Sequence, residues 1–113
     1  MRRYCFALDL KNDKKLINDY IEHHKNVWPE VIKSFNNLGI VELSLYNIEN
    51  RLFMIINCNS NFSIENKTER DLKNSKVKKW EELMNNFQKL IPNTPKGEKW
   101  RLMDKIFSVN PIE

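Results

Sequence analysis

Two kinds of apolar spacing alternate along this chain, and their order constrains the fold more than any other feature. From about Arg3 to Leu10, Tyr4, Phe6, Leu8 and Leu10 alternate with Cys5, Ala7 and Asp9, the period-two pattern of a half-buried strand. Asn12 and Asp13 then offer caps to a helical segment in which Ile17, Ile21, Trp28, Val31, Ile32 and Phe35 recur at helical spacing. Pro29 interrupts it, because a proline pushes the residue before it, Trp28, out of helical geometry. The spacing predicts one helix to about His24, a break, and a second helix with Pro29 in its first turn and Gly39 at its end. Val41, Leu43 and Leu45 alternate with Glu42, Ser44 and Tyr46 as a second strand; after a polar turn at 47–50, Arg51 to Cys58 forms a third. Residues 59–74 are polar and irregular, with room for a short helix. Val77, Trp80, Leu83, Met84, Phe87, Leu90 and Ile91 trace the clearest amphipathic helix, stopped by Pro92, and Trp100 to Val109 reads as a last strand.

The order βαββαβ predicts an α+β fold, a ferredoxin-like sandwich with an antiparallel sheet and its helices on one face. A length of 113 residues allows one domain, residues 1–113. The other face of the sheet is left uncovered, so its apolar side chains must meet a ligand or a partner, and a homodimer with facing sheets is expected.

Composition works by exclusion. No apolar run approaches the roughly 20 residues of a membrane helix. The opening Met1–Asp9 is charged and then apolar, but Asp9 and Lys11 cut it short, so it does not read as a signal peptide. Cys5 and Cys58 stand alone without metal-type spacing, which predicts free thiols in a reducing, cytoplasmic setting. Lys and Arg exceed Asp and Glu by 19 to 15, but the excess is scattered. Its densest cluster (Lys73, Lys76, Lys78, Lys79) is diluted by Asp71, Glu81 and Glu82, so no nucleic-acid partner is expected. With 2 glycines there is no phosphate loop, and no His-x-x-x-His pair or converging acidic set appears. Neither a metal nor a cofactor is expected.

Tyr20, His24 and Trp28 recur every four residues, which places Tyr20 and His24 on one helical face and Trp28 at the break. A phenol, an imidazole and an indole suit a polyhydroxylated ligand: the indole stacks on C–H faces, the others exchange hydrogen bonds with hydroxyls. Histidine alone has an unperturbed pKa near neutrality and can move a proton there. The plain structural alternative is that His24 caps the helix and Tyr20 and Trp28 are core aromatics. His23 points about 100° away from His24 and serves a different face. Trp80 lies on the last helix's apolar stripe, with Glu81 at its rim as a candidate acceptor of sugar hydroxyls. Tyr46, Arg51, Glu98, Trp100 and Asp104 are further candidates that spacing does not rank.

The segment Tyr20-Ile-Glu-His-His24-Lys-Asn-Val-Trp28-Pro29-Glu30 resembles the Tyr-x-x-x-His-x-x-x-Trp-Pro-Glu signature of the L-rhamnose mutarotase family. Further similarity runs through the Arg-Tyr opening strand, Gly39, Tyr46, Asn50-Arg51-Leu52-Phe53, Trp80 with Met84, and Leu102 to Phe107, nearly the whole chain. The resemblance implies a dimeric α/β barrel of ferredoxin-like subunits that interconverts the anomers of a 6-deoxy-hexose. It implies His24 as catalytic proton donor and Tyr20 and Trp80 as sugar contacts; Trp28, Tyr46 and Glu81 complete the expected substrate-binding set. Two departures stand out. A second sugar-contacting tyrosine of the rhamnose enzymes falls at Leu43, and the second member of their Trp-Trp pair falls at Glu81. This Trp-Glu-Glu version looks like a branch associated with L-fucose, which puts L-fucose slightly ahead of L-rhamnose.

Ring opening of a hemiacetal needs an acid on the ring oxygen and a base on the C1 hydroxyl. His24 is expected as the acid and Tyr20 as the orienting group, with Glu81, Asp104 or water as base. Two other classes stay open. An RNA-binding domain shares the element order, although the third strand, Arg51-Leu-Phe-Met-Ile-Ile-Asn, lacks the glycine-containing RNA-binding pattern. A non-catalytic sugar-binding or sensor domain would keep the tryptophans without needing a titrating His24.

Overall fold

A computed structural model of the chain describes residues 2–110. The first strand, β1 (Arg2–Leu10), runs antiparallel to β3 (Arg51–Cys58), with Leu8 opposite Leu52, Phe6 opposite Met54 and Tyr4 opposite Ile56. Directly paired residues share a face, so the alternation read from β1 carries over to β3. Strand β2 (Ile40–Ile48) pairs with the outer edge of β3. Two short strands, β4 (Gln88–Lys89) and β5 (Arg101–Leu102), pair with the other edge of β1. The order β2-β3-β1-β4 is the ferredoxin-like arrangement, with β5 beside β1 as well.

Four helices cover one face. Asp13 caps α1 (Lys14–His23), its carboxylate accepting from the Leu16 N–H at 3.0 Å. A single 3-10 turn at His24–Asn26 follows. Trp28 is extended, with ψ 136°, and Pro29 opens α2 (Pro29–Asn37), the break predicted from sequence. Ser63 caps α3 (Ile64–Lys73) and Asn74 caps α4 (Ser75–Asn85). Leu10, Leu52, Tyr20, Val31, Val77, Trp80, Met84 and Phe87 form one buried cluster; Phe6, Ile40, Ile56, Cys58, Leu38 and Phe62 form the other. Both draw their sheet residues from the same face. No described helix is long and apolar enough to cross a membrane.

Gly39 follows α2 with φ +88°, and an added Cβ would meet the Asn59 side-chain oxygen at 2.4 Å. The turn into β2 therefore needs glycine on two counts, backbone conformation and space.

The structure corrects four expectations. A bulge between Ile40 and Glu42 inserts an extra residue, so Ile40 rather than Val41 joins Leu43 and Leu45 on the helix side, and Val41 is exposed. Residues 64–73 form a full ten-residue helix, held by its Ser63 cap and the Lys67–Asp71 pair rather than by an apolar stripe. The helix expected to reach Ile91 ends at Asn85, because β1 offers a free edge and draws Gln88–Lys89 into the sheet. The last strand shrinks from 100–109 to Arg101–Leu102; beyond the Met103 N–H bond to the Cys5 carbonyl, Ile106 and Phe107 stand in solvent.

Candidate functional site

The break between α1 and α2 gathers most of the residues singled out by sequence. Tyr20 lies on the buried stripe of α1, and its ring stands 4.4 Å from that of His24 one turn later. The His24 imidazole meets Trp80 of α4 edge-on at 5.5 Å, and Trp80 meets Trp28 edge-on at 5.2 Å. Trp28 reaches α4 because Pro29 forces it out of helical geometry. Tyr20 and Trp80 are buried, while His24 and Trp28 are half-buried and form the accessible part of the cluster.

His24 satisfies two demands at once. Its Nδ1 lies 2.8 Å from the Tyr20 carbonyl oxygen, one of the unpaired acceptors at the end of α1. A carbonyl brings no proton, so Nδ1–H donates. In the neutral ring this leaves Nε2 with a free lone pair. Burial lowers the His24 pKa below its ordinary 6.5; the bond to the Tyr20 carbonyl opposes this and the neighbouring His23 adds to it. The helix cap and the reactive nitrogen are thus opposite ends of one ring. Tyr20 shifts the other way: burial pushes its phenol up to about 12, against a hydrogen bond from Gln88 and with a contribution from the Glu81 carboxylate. At neutral pH the site holds a proton acceptor beside a phenol that keeps its proton.

Glu81 is half-buried on α4, next to Trp80 in sequence. Lys99 engages it, its ammonium 2.5 Å from the carboxylate and 3.2 Å from the Asn85 side-chain oxygen. Leu43, where the rhamnose enzymes place a tyrosine, packs on the helix side of the sheet. Tyr46 is not brought to this cluster. Leu45 packs into the helix-side core, so the next residue along the strand faces the other way. Tyr46 is 57% exposed, beside Phe53 on the bare face. Asp104 and Glu98 are exposed, Arg51 pairs with the buried Asp9, and Trp100 is half-buried between the two core clusters. His23 packs against Phe87, which in turn meets the Tyr20 ring edge-on.

Sequence reasoning missed Gln88 and Lys99. Gln88 donates from Nε2 to the Tyr20 hydroxyl at 3.3 Å, across 68 residues of sequence. A two-residue edge strand carries no periodicity, and the apolar spacing around Gln88 had assigned it to a helix.

The sequence profile described as L-rhamnose mutarotase matches residues 3–109. An L-fucose mutarotase of Xanthomonas campestris pv. campestris is 38% identical over 112 residues, covering 97% of this chain and 90% of the relative. The chain belongs to the L-rhamnose mutarotase family. It is accordingly an isomerase of the aldose-anomerase kind. A Dictyostelium discoideum protein is 34% identical over 114 residues, covering 96% of this chain and 90% of its own. Among solved structures, the L-rhamnose mutarotase of Formosa agariphila superposes with a TM-score of 0.70 at 24% identity, covering 96% of this chain and 99% of its own. Tetracenomycin F2 cyclase of Streptomyces glaucescens, a polyketide cyclase, reaches 0.62 at 11% identity, covering 98% and 99%. These two likenesses speak for the fold: a shared sandwich carries different chemistries, so the site must supply the function.

Proposed function

We propose that this mutarotase acts on 6-deoxy-hexoses, with L-fucose slightly ahead of L-rhamnose, and that His24 carries the proton. The observation that carries this reading is the pairing of a neutral imidazole, its Nδ1–H committed to the Tyr20 carbonyl, with a phenol held protonated 4.4 Å away, ring centre to ring centre. Nε2 takes the proton from the C1 hydroxyl. As the C1–O5 bond breaks and the C1–O1 double bond forms, the loaded imidazolium returns that proton to O5. Rotation about C1–C2 turns the other face of the aldehyde to O5, and the same proton movements in reverse close the ring. His24 is therefore the ring-opening acid only after serving as the base, which removes the need for a second residue. Glu81 is engaged by Lys99 and Asp104 is exposed, which also supports a single carrier. Tyr20 keeps its proton and donates a hydrogen bond to the developing charge on O5.

Trp28, half-buried and edge-on to Trp80, offers an apolar wall for the sugar's C–H face, and Glu81 with Lys99 presents charged partners for its hydroxyls. A carboxylate where the rhamnose enzymes have an indole, together with the 38% identity to an L-fucose mutarotase, supports L-fucose. A homodimer through the bare sheet face completes the proposal. Tyr46 is 57% and Ile48 72% exposed in the single chain, and Tyr46 finds its role in that contact rather than on the sugar. The free thiols Cys5 and Cys58 suit a cytoplasmic setting. Polarimetry on freshly dissolved α-L-fucose and α-L-rhamnose tests the activity: relaxation should quicken in proportion to protein, more for L-fucose. Relaxation at the buffer rate for both would refute it.

A further inference from the structure

Gln88 Oε1 is a buried side-chain oxygen with no hydrogen-bond partner among the described residues. Such groups are rare because a buried carbonyl without a donor is costly, and each one calls for an explanation. An apolar side chain would pack at this position without that cost. The residue sits on β4 opposite Leu10, so the sheet register holds its backbone firmly. Its amide nitrogen reaches the Tyr20 hydroxyl at 3.3 Å.

The amide decides what that phenol can do. With Nε2–H donating, the phenol oxygen accepts, and its own proton is free for another partner. Turned by half a revolution, the amide presents Oε1, which accepts the phenol proton; the phenol then offers the site only a lone pair. Either orientation keeps one bond to the phenol, with its direction reversed, and the phenol's third partner tips the balance. An anomerase presents two such partners in turn. The closed ring's O5 is an ether and only accepts; the open chain's O5–H also donates. We propose that Gln88 is a positioning residue that sets the direction of the Tyr20 hydrogen bond and turns its amide as O5 gains and loses its proton. This role rests on the mutarotase reading above.

Gln88→Met keeps the volume and removes both donor and acceptor, while Gln88→Glu, when ionised, leaves only an acceptor that captures the phenol proton. Anomer exchange at saturating L-fucose should fall about five- to tenfold in Gln88→Met, the scale of one lost neutral hydrogen bond, and at least as far in Gln88→Glu. The half-saturating concentration should stay within about twofold, since the amide acts through Tyr20 rather than on the sugar. The ζ-carbon signal of Tyr20, assigned with Tyr20→Phe, should move in both variants before sugar is added, a change that loose packing alone does not produce. In the wild type, the Gln88 side-chain amide signal should move on saturation with L-fucose, and this holds whether or not the variants fold. Wild-type saturating rates in both variants, a Tyr20 signal indifferent to them, or a wild-type amide signal indifferent to sugar would each overturn the role of Gln88 and leave the mutarotase standing. A wild type that exchanges no sugar would overturn the mutarotase and this role with it.

Discussion

The two faces of the sheet carry similar side chains to different ends. On the helix side, Tyr20, His24, Trp28 and Trp80 lie within one chain of ring contacts, and burial moves the phenol up to about 12 and the imidazole below 6.5. On the bare side, Tyr46 and Phe53 also stand ring to ring, yet Tyr46 is 57% exposed and shares its face with Ile48 and the Asp9–Arg51 ion pair. One step along β2, from Leu45 to Tyr46, separates the two environments. On the proposal above, the buried cluster is the reactive site and the exposed one the association surface.

The sharpest way to break the comparison is to remove one polar group from each face. His24→Ala should lower anomer exchange by about 10²–10⁴-fold, the usual contribution of a positioned acid–base group, whereas Tyr46→Phe should leave the saturating rate within about twofold. NMR exchange rates on both variants check this, and equal losses would erase the distinction. Stability should divide the same way. Ile56→Ala, on the helix side at 1% exposure, should cost about 2–5 kcal/mol in urea unfolding. Ile48→Ala, at 72% exposure, should cost under about 0.5 kcal/mol in dilute protein, and instead weaken self-association measured by sedimentation.

Smaller effects sharpen the picture. Gly39→Ala should destabilise by roughly 1–3 kcal/mol, because alanine tolerates the positive φ poorly and its Cβ meets Asn59. A His24 pKa held below 6.5 keeps Nε2 unprotonated as pH falls through 6.5. The acid limb of the pH–rate profile should therefore lie below 6.5 and vanish in His24→Ala. The unfolded chain takes up that proton first, so the stability tied to His24 is complete above 6.5 and declines as pH falls below it. Least in size, Glu81→Gln should change the L-fucose to L-rhamnose rate ratio by about two- to tenfold while both sugars remain substrates.

The sequence announced the parts of this fold that are set by local chemistry. Asp13 caps α1, Pro29 breaks the helix at Trp28, Gly39 ends α2, and the alternation in β1 sends Phe6 and Leu10 into the helix-side cores, although Asp9 between them in the pattern is buried too, paired with Arg51. Four-residue spacing likewise brought Tyr20 and His24 together, and both Trp28 and Trp80 joined them. What stayed hidden depends on partners distant in sequence. Val41 looked like a core residue because a bulge leaves no local signature, and Leu90 continued a helical stripe although β1 had already recruited Gln88 into the sheet. Spacing alone does not rank Tyr46 among the candidates, and only the register of β2 shows that it faces away from the helices. Gln88 could have been found only by asking which group pairs with a buried phenol.

The most direct measurement is NMR saturation transfer between anomers of L-fucose, L-rhamnose and D-glucose, with wild type beside His24→Ala. Exchange should quicken for the 6-deoxy sugars, most for L-fucose, and disappear in His24→Ala while that variant still binds sugar. Exchange that survives the loss of His24, or fails to quicken for any of the three in a folded wild type, would contradict the assignment of the proton to this histidine.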